Sequence, residues 1–109
     1  MAYSDSTEFQ IPRHIVQKGG VNIETITANK TLTYASATYQ IITSNGSGAN
    51  DMLLPEKKDG AVFWVKTKAA SAQNLIVKDG GSSVATLTAG GQSACFVCDG
   101  ASWDVVFHG

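Results

Sequence analysis

The stretch Ser93-Ala94-Cys95-Phe96-Val97-Cys98-Asp99-Gly100-Ala101-Ser102-Trp103-Asp104-Val105-Val106-Phe107 decides the fold. Two runs rich in aromatic and β-branched residues flank an Asp-Gly pair, which supplies the positive φ angles of a tight turn. The pattern predicts a β-hairpin with strands at Ser93 to Cys98 and Ser102 to Phe107. In the second run the two-residue period puts Trp103, Val105 and Phe107 on one face and Ser102, Asp104 and Val106 on the other, as in a half-buried strand. In the first run Cys95 and Val97 oppose Ala94, Phe96 and Cys98, so both faces are apolar.

Working outward, the same grammar recurs back to Asn22. Strands are predicted at Asn22 to Thr27, Thr31 to Tyr34, Thr38 to Ser44, Asp51 to Leu54, Ala61 to Thr67, Gln73 to Lys78 and Ser83 to Thr88. Asn45-Gly46-Ser47-Gly48, Asp59-Gly60, Asp79-Gly80-Gly81 and Ala89-Gly90-Gly91 punctuate them and read as hairpin turns. The twenty-residue spacing of the Asp-Gly pairs reflects regular strand length rather than a repeat. With no clean 3.6-residue period, little or no helix is expected. The prediction is an all-β fold: a jelly-roll-like antiparallel β-sandwich of eight or nine short strands over residues 21–109.

Residues 1–20 differ. Tyr3, Phe9, Ile11, Ile15 and Val16 are too apolar for a plain tail, Pro12 interrupts them, and Gly19-Gly20 ends them. This segment reads as an extended N-terminal arm with a glycine hinge. In the run Ala61 to Thr67, Phe63 and Val65 face one way while Val62 and Trp64 face the other. A sandwich covers only one face of each sheet, so the second face, around Val62 and Trp64, is a candidate self-association surface.

Composition narrows the function. The chain has 109 residues, 43% of them hydrophobic and only 16% charged, and Lys+Arg 8 against Asp+Glu 9 leave a net charge of -1. Length and hydrophobic content suit one domain with a modest core. The charge balance provides no global field for nucleic acid or anionic lipid. Asp5 and Glu8 interrupt the first ten residues, so no signal-peptide core is read there, and no run approaches a membrane span; production in a cytosol-like compartment is expected. The lysines 57, 58, 66, 68 and 78 surround Trp64, but Glu56, Asp59 and Asp79 interleave with them, as in solvated strand edges.

No constellation demands catalysis. Asp59, Asp79 and Asp99 each precede glycine, where turn geometry alone favours Asp. Nothing in the sequence pairs Asp51 with Asp104, and His14 and His108 are singletons without a nucleophile turn. Cys95 and Cys98, at i and i+3 of a strand, point to opposite faces and read as buried structural thiols. The glycine-rich turns lack the Gly-Lys-Ser/Thr order of a phosphate loop. Trp64, Trp103, Tyr34 and Tyr39 suit packing better than sugar stacking. The reading is of a non-enzymatic protein with no cofactor or metal.

The chain from Asn22 to Phe107 resembles β modules of bacteriophage virion proteins. The resemblance is carried by Thr38-Tyr39-Gln40-Ile41-Ile42, by Leu54-Pro55-Glu56-Lys57-Lys58-Asp59-Gly60 before Val62 to Val65, by Leu75 to Val77, by Gly90-Gly91-Gln92-Ser93 and by Val97 to Trp103. It implies a capsid decoration, or cement, protein that binds the outer shell and bridges major capsid proteins as a homo-oligomer, dimer or trimer. It also implies made-in-host-cytoplasm, virion-resident localisation. In that setting Phe9, Ile11, Arg13 and Ile15 are the expected shell-attachment residues, and Val62 and Trp64 the self-association residues. A receptor- or glycan-binding tail-fibre or head-fibre domain is the alternative.

Overall fold

The computed structural model describes residues 20–109. Nine strands follow in order: β1 (Val21–Ile26), β2 (Lys30–Thr31), β3 (Tyr39–Ser44), β4 (Asn50–Leu53), β5 (Val62–Thr67), β6 (Leu75–Asp79), β7 (Ser82–Leu87), β8 (Ser93–Cys98) and β9 (Trp103–His108). Each lies where a strand is predicted, and among the described residues there is no helix. β2 is shorter than expected because hydroxyls pull the following chain into a turn. Thr33 N donates to Ser36 Oγ at 3.0 Å, Ala35 N to Thr33 Oγ1 at 3.2 Å, and Ser36 N to the Thr33 carbonyl at 2.9 Å. Such local bonds compete with a ladder.

The strands form two sheets, β1-β3-β5-β8-β9 and β2-β4-β6-β7. Through β6 the chain changes sheet at every strand, so like strands stack in parallel: β1 on β3, β3 on β5, β2 on β4 and β4 on β6. Three coils thus wind around one interior. Antiparallel pairs β5–β8, β6–β7 and β8–β9 complete the sheets. The sheets are therefore mixed, which corrects the antiparallel expectation, and four parallel pairs are not the Greek-key connectivity of a jelly roll. The all-β, two-sheet architecture holds.

The reason lies in the corners. Asn45 to Gly48, Asp59-Gly60 and Ala89 to Gly91 carry the chain between sheets, and only Asp79 to Gly81 and Asp99-Gly100 lie in hairpins. A positive φ serves an arch between sheets as well as a turn within one. Gly46, at φ 109, also packs so closely that a Cβ there would sit 2.9 Å from the Thr27 carbonyl oxygen. Corners stack through hydrogen bonds, with Asn45 N on the Ile26 carbonyl at 2.9 Å and Ala72 N on the Ser44 carbonyl at 3.0 Å. Beneath them the buried Asn50 donates from Nδ2 to Ser44 Oγ at 3.0 Å and to the Asn45 carbonyl at 2.8 Å. Ser44 N in turn donates to Ser71 Oγ at 3.0 Å. These bonds meet the requirement that buried polar groups be paired.

Between the sheets lies one core that includes Ile42, Phe63, Val65, Phe96, Met52, Leu75, Val77 and Leu87, all buried. Hydrophobic burial of this cluster is the main force holding the coils together. Trp103 is buried against Phe63, ring centroids 6.0 Å apart. The rest of β9 departs from the expected alternation. The β8–β9 register shifts between Cys95 and Phe96, so Phe96 pairs with Val105 but Cys95 pairs with Phe107. This bulge turns Phe107 to the face opposite Trp103 and leaves Val106 exposed, as an inserted residue does.

At the β1–β2 end the interior is polar. Asn22 Nδ2 donates to Gln40 Oε1 at 2.8 Å and to Glu24 Oε1 at 3.0 Å, and Lys30 pairs with Glu24 at 2.9 Å. Gln40, buried, donates from Nε2 to the Ala37 carbonyl at 2.8 Å.

Candidate interface on the outer face of the five-stranded sheet

Strand alternation sends Phe63 and Val65 into the core and leaves Val62, Trp64 and Lys66 on the outer face of β5. The registers then align one residue from each strand of the sheet: Val21 with Tyr39, Tyr39 with Trp64, Trp64 with Cys95, and Cys95 with Phe107. At about 4.8 Å between strands, this belt runs roughly 19 Å across the sheet without a charge. Ile23 and Ile41 form part of the next row, which ends at Lys66 and Ser93; Val62 and Val97 pair on the other side, beside Asp104.

The belt is open to solvent, with Val21 54%, Trp64 39% and Phe107 52% exposed, and Ile23 in the next row is 68% exposed. A groove of about 260 Å³ lies along it, lined in part by Val21, Tyr39, Ile41, Trp64 and Lys66. Contiguous apolar surface of this kind makes the belt a candidate contact surface. Cys95 is the exception within the belt, only 4% exposed. Trp64 and Phe107 flank it in the row, and their ring centroids approach to 6.4 Å above the small thiol. Loss of water pushes the Cys95 thiol above its usual range. Cys98 faces the core, and both cysteines are free.

Other candidate groups are dispersed. Asp51 pairs with Lys78 at 3.0 Å on the outer side of the four-stranded sheet, whereas Asp104 lies on the outer face of the other sheet. Asp79 pairs with Lys57 at 3.3 Å, and Lys58 stands 4.9 Å above the Tyr34 ring, whose hydroxyl donates to the Glu56 carbonyl. Asp99 Oδ1 accepts from Ala101 N at 2.8 Å and Ser102 N at 2.9 Å, which holds its carboxyl below the usual aspartate range. His108 Nε2 lies 3.3 Å from Gln92 Oε1. No cluster of three or more His, Cys, Asp or Glu suited to a metal occurs among the described residues. A second cavity, about 320 Å³, opens at the polar β1–β2 end beside Asn22, Lys30, Ser36 and Gln40.

Of the residues singled out from the sequence, Val62 and Trp64 lie on the outer face together, while Phe9, Ile11, Arg13 and Ile15 fall outside the described residues. The belt partners Val21, Tyr39, Cys95 and Phe107 are not singled out for contact by sequence. Alternation within a strand shows a side chain's face; only the inter-strand register shows which residues line up. The chain matches no family model, no curated protein and no solved structure.

Proposed function

We propose that the protein is a non-enzymatic structural subunit of a bacteriophage virion: a decoration, or cement, protein on the outer shell that self-associates and bridges neighbouring major capsid proteins. The observation that carries the reading is the uncharged belt Val21–Tyr39–Trp64–Cys95–Phe107. A closed oligomer buries such a surface, and its symmetry can match a capsid axis. Trp64 lies at the centre of that belt with Val62 in the adjacent row, and Phe9, Ile11, Arg13 and Ile15 are the proposed shell-attachment residues. Two packed sheets suffice as a rigid staple; the reading does not need a jelly roll. Many copies per particle multiply modest contacts.

The second reading, a tail-fibre or head-fibre domain, is favoured by the parallel stacking of β1, β3 and β5, since coiled β stacks suit elongated assemblies. Mass spectrometry and antibody-gold imaging of purified virions separate the two. Label over the shell supports the cement reading, label confined to the tail supports the fibre reading, and virions devoid of the protein overturn both.

A further inference from the structure

We propose that the belt is closed by a second copy of this chain in a two-fold, face-to-face dimer in which Lys66 of each copy pairs with Asp104 of the other. This arrangement rests on the self-association reading above and adds to it the orientation of the partner.

On the outer face of the five strands two charged side chains occur, Lys66 on β5 and Asp104 on β9, and both are exposed. The ion pairs found among the described residues, Glu24–Lys30, Asp79–Lys57 and Asp51–Lys78, involve neither. Within the fold Asp104 Oδ2 accepts from Ser102 Oγ at 3.5 Å. The two charges lie on opposite sides of the uncharged belt. Lys66 stands two residues beyond Trp64, in the row with Ile41 and Ser93, and Asp104 lies in the row of Val97 and Val62. A face with a cation on one margin and an anion on the other is complementary to its own two-fold image.

The register locates the axis. Lys66 and Asp104 are two strands apart and one row either side of the belt, so their midpoint falls on Cys95, the belt residue of the intervening β8. At about 4.8 Å per strand and about 3.3 Å per residue, they stand roughly 16 Å apart. A two-fold axis between the faces, passing over Cys95 and square to the line joining the charges, exchanges them. Each Lys66 then meets the partner's Asp104 across the roughly 10 Å between packed sheets. The same axis lays Trp64 of each copy toward the Val62–Val97 pair of the other. The strands of the two copies cross at roughly 70°, nearer the orthogonal than the aligned class of sheet packing. An axis along β5 would instead set Lys66 against its own copy, and one along the belt would set it against Val62. The belt and its flanking rows span about 19 by 13 Å, less than the ~800 Å² per partner of a standard stable contact. Apolar burial alone therefore makes a weak dimer, and the two ion pairs at its margin decide its orientation.

Sedimentation velocity of the full chain over a concentration series tests this. Wild type should reach a dimer whose dissociation constant rises with added salt. Lys66→Asp sets like charges together at both contacts, as does Asp104→Lys, and each variant alone should dimerise at least about tenfold more weakly. An equimolar mixture of the two, or the double variant Lys66→Asp/Asp104→Lys, should dimerise as wild type does, because every contact then joins opposite charges. Rescue in the mixture and in the double variant separates charge from misfolding. Single variants that dimerise like wild type, single variants that neither combination rescues, or a wild-type trimer overturn the pairing and leave self-association standing. Wild type that stays monomeric at every concentration, sedimenting as Trp64→Glu does, overturns the self-association reading itself.

Discussion

The indole Nε1 of Trp103 donates a 2.9 Å hydrogen bond to the carbonyl of Pro55. Trp103 opens β9, whereas Pro55 lies in the passage from β4 to β5, so one bond ties the last strand to the crossing between sheets. Trp103→Phe keeps most of the ring packing against Phe63 but leaves the buried carbonyl without its donor, an expected loss of about 1–3 kcal/mol. Trp103→Ala also opens a cavity and should cost about 3–5 kcal/mol. Urea unfolding midpoints of the two variants check this order.

Cys95 should react slowly with a thiol reagent under native conditions, because Trp64 and Phe107 close over it and burial raises its pKa. Trp64→Ala removes half of that roof. The labelling rate of Cys95 should rise several-fold, while Cys98 stays protected in the core. Mass spectrometry of labelled peptides distinguishes the two sites, and an unchanged Cys95 rate would mean that the Trp64 ring does not shield it.

Two glycines at positive φ should respond differently to substitution. Gly46→Ala places a Cβ against the Thr27 carbonyl at φ 109, and both collision and strain oppose it. A loss above about 1 kcal/mol is expected. Gly80, at φ 61, has nothing within 4 Å of a Cβ. Since Asn tolerates that region, Gly80→Asn should change stability by less than about 1 kcal/mol. Thermal melts of both variants test the contrast.

Asp99 gives stability a pH dependence of defined sign. Its carboxyl is held low by hydrogen bonds from Ala101 N and then Ser102 N, so the unfolded chain takes up the proton first as pH falls. The contribution is present above the ordinary aspartate value of about 4 and disappears as pH drops through the lower folded value. Asp99→Asn keeps an oxygen acceptor for both amides while removing the titration. The variant's stability should vary less than wild type's across the acid range, as read from unfolding midpoints at stepped pH.

These experiments probe features that differ in how far the sequence foretells them. All nine strands are legible, because alternating apolar residues and Gly-rich punctuation are local signals. Parallel winding is not. Val21 pairs with Tyr39, eighteen residues on, but Tyr39 pairs with Trp64, twenty-five on, so the coils leave no fixed period to detect. The corners mislead for the same local reason: Asn45-Gly46 has the composition of a hairpin turn but arches between sheets. Within the candidate interface, Val62 and Trp64 are legible from the doubly apolar β5. Phe107 is hidden by the bulge, which reverses its side chain relative to Trp103.

The inward-facing polar residues of the first coil bear on how large an assembly can grow. Were a second molecule to stack end-on against β1 and β2, it would close the mouth where Asn22, Glu24, Lys30 and Gln40 meet water. The Glu24–Lys30 pair, with side chains 40% and 25% exposed, would lose that hydration. Desolvating an ion pair opposes association unless its geometry compensates, and charged groups at a sheet margin discourage edge pairing in general. On the self-association proposed above, the first coil would therefore oppose end-on stacking and direct growth to lateral contact through the belt.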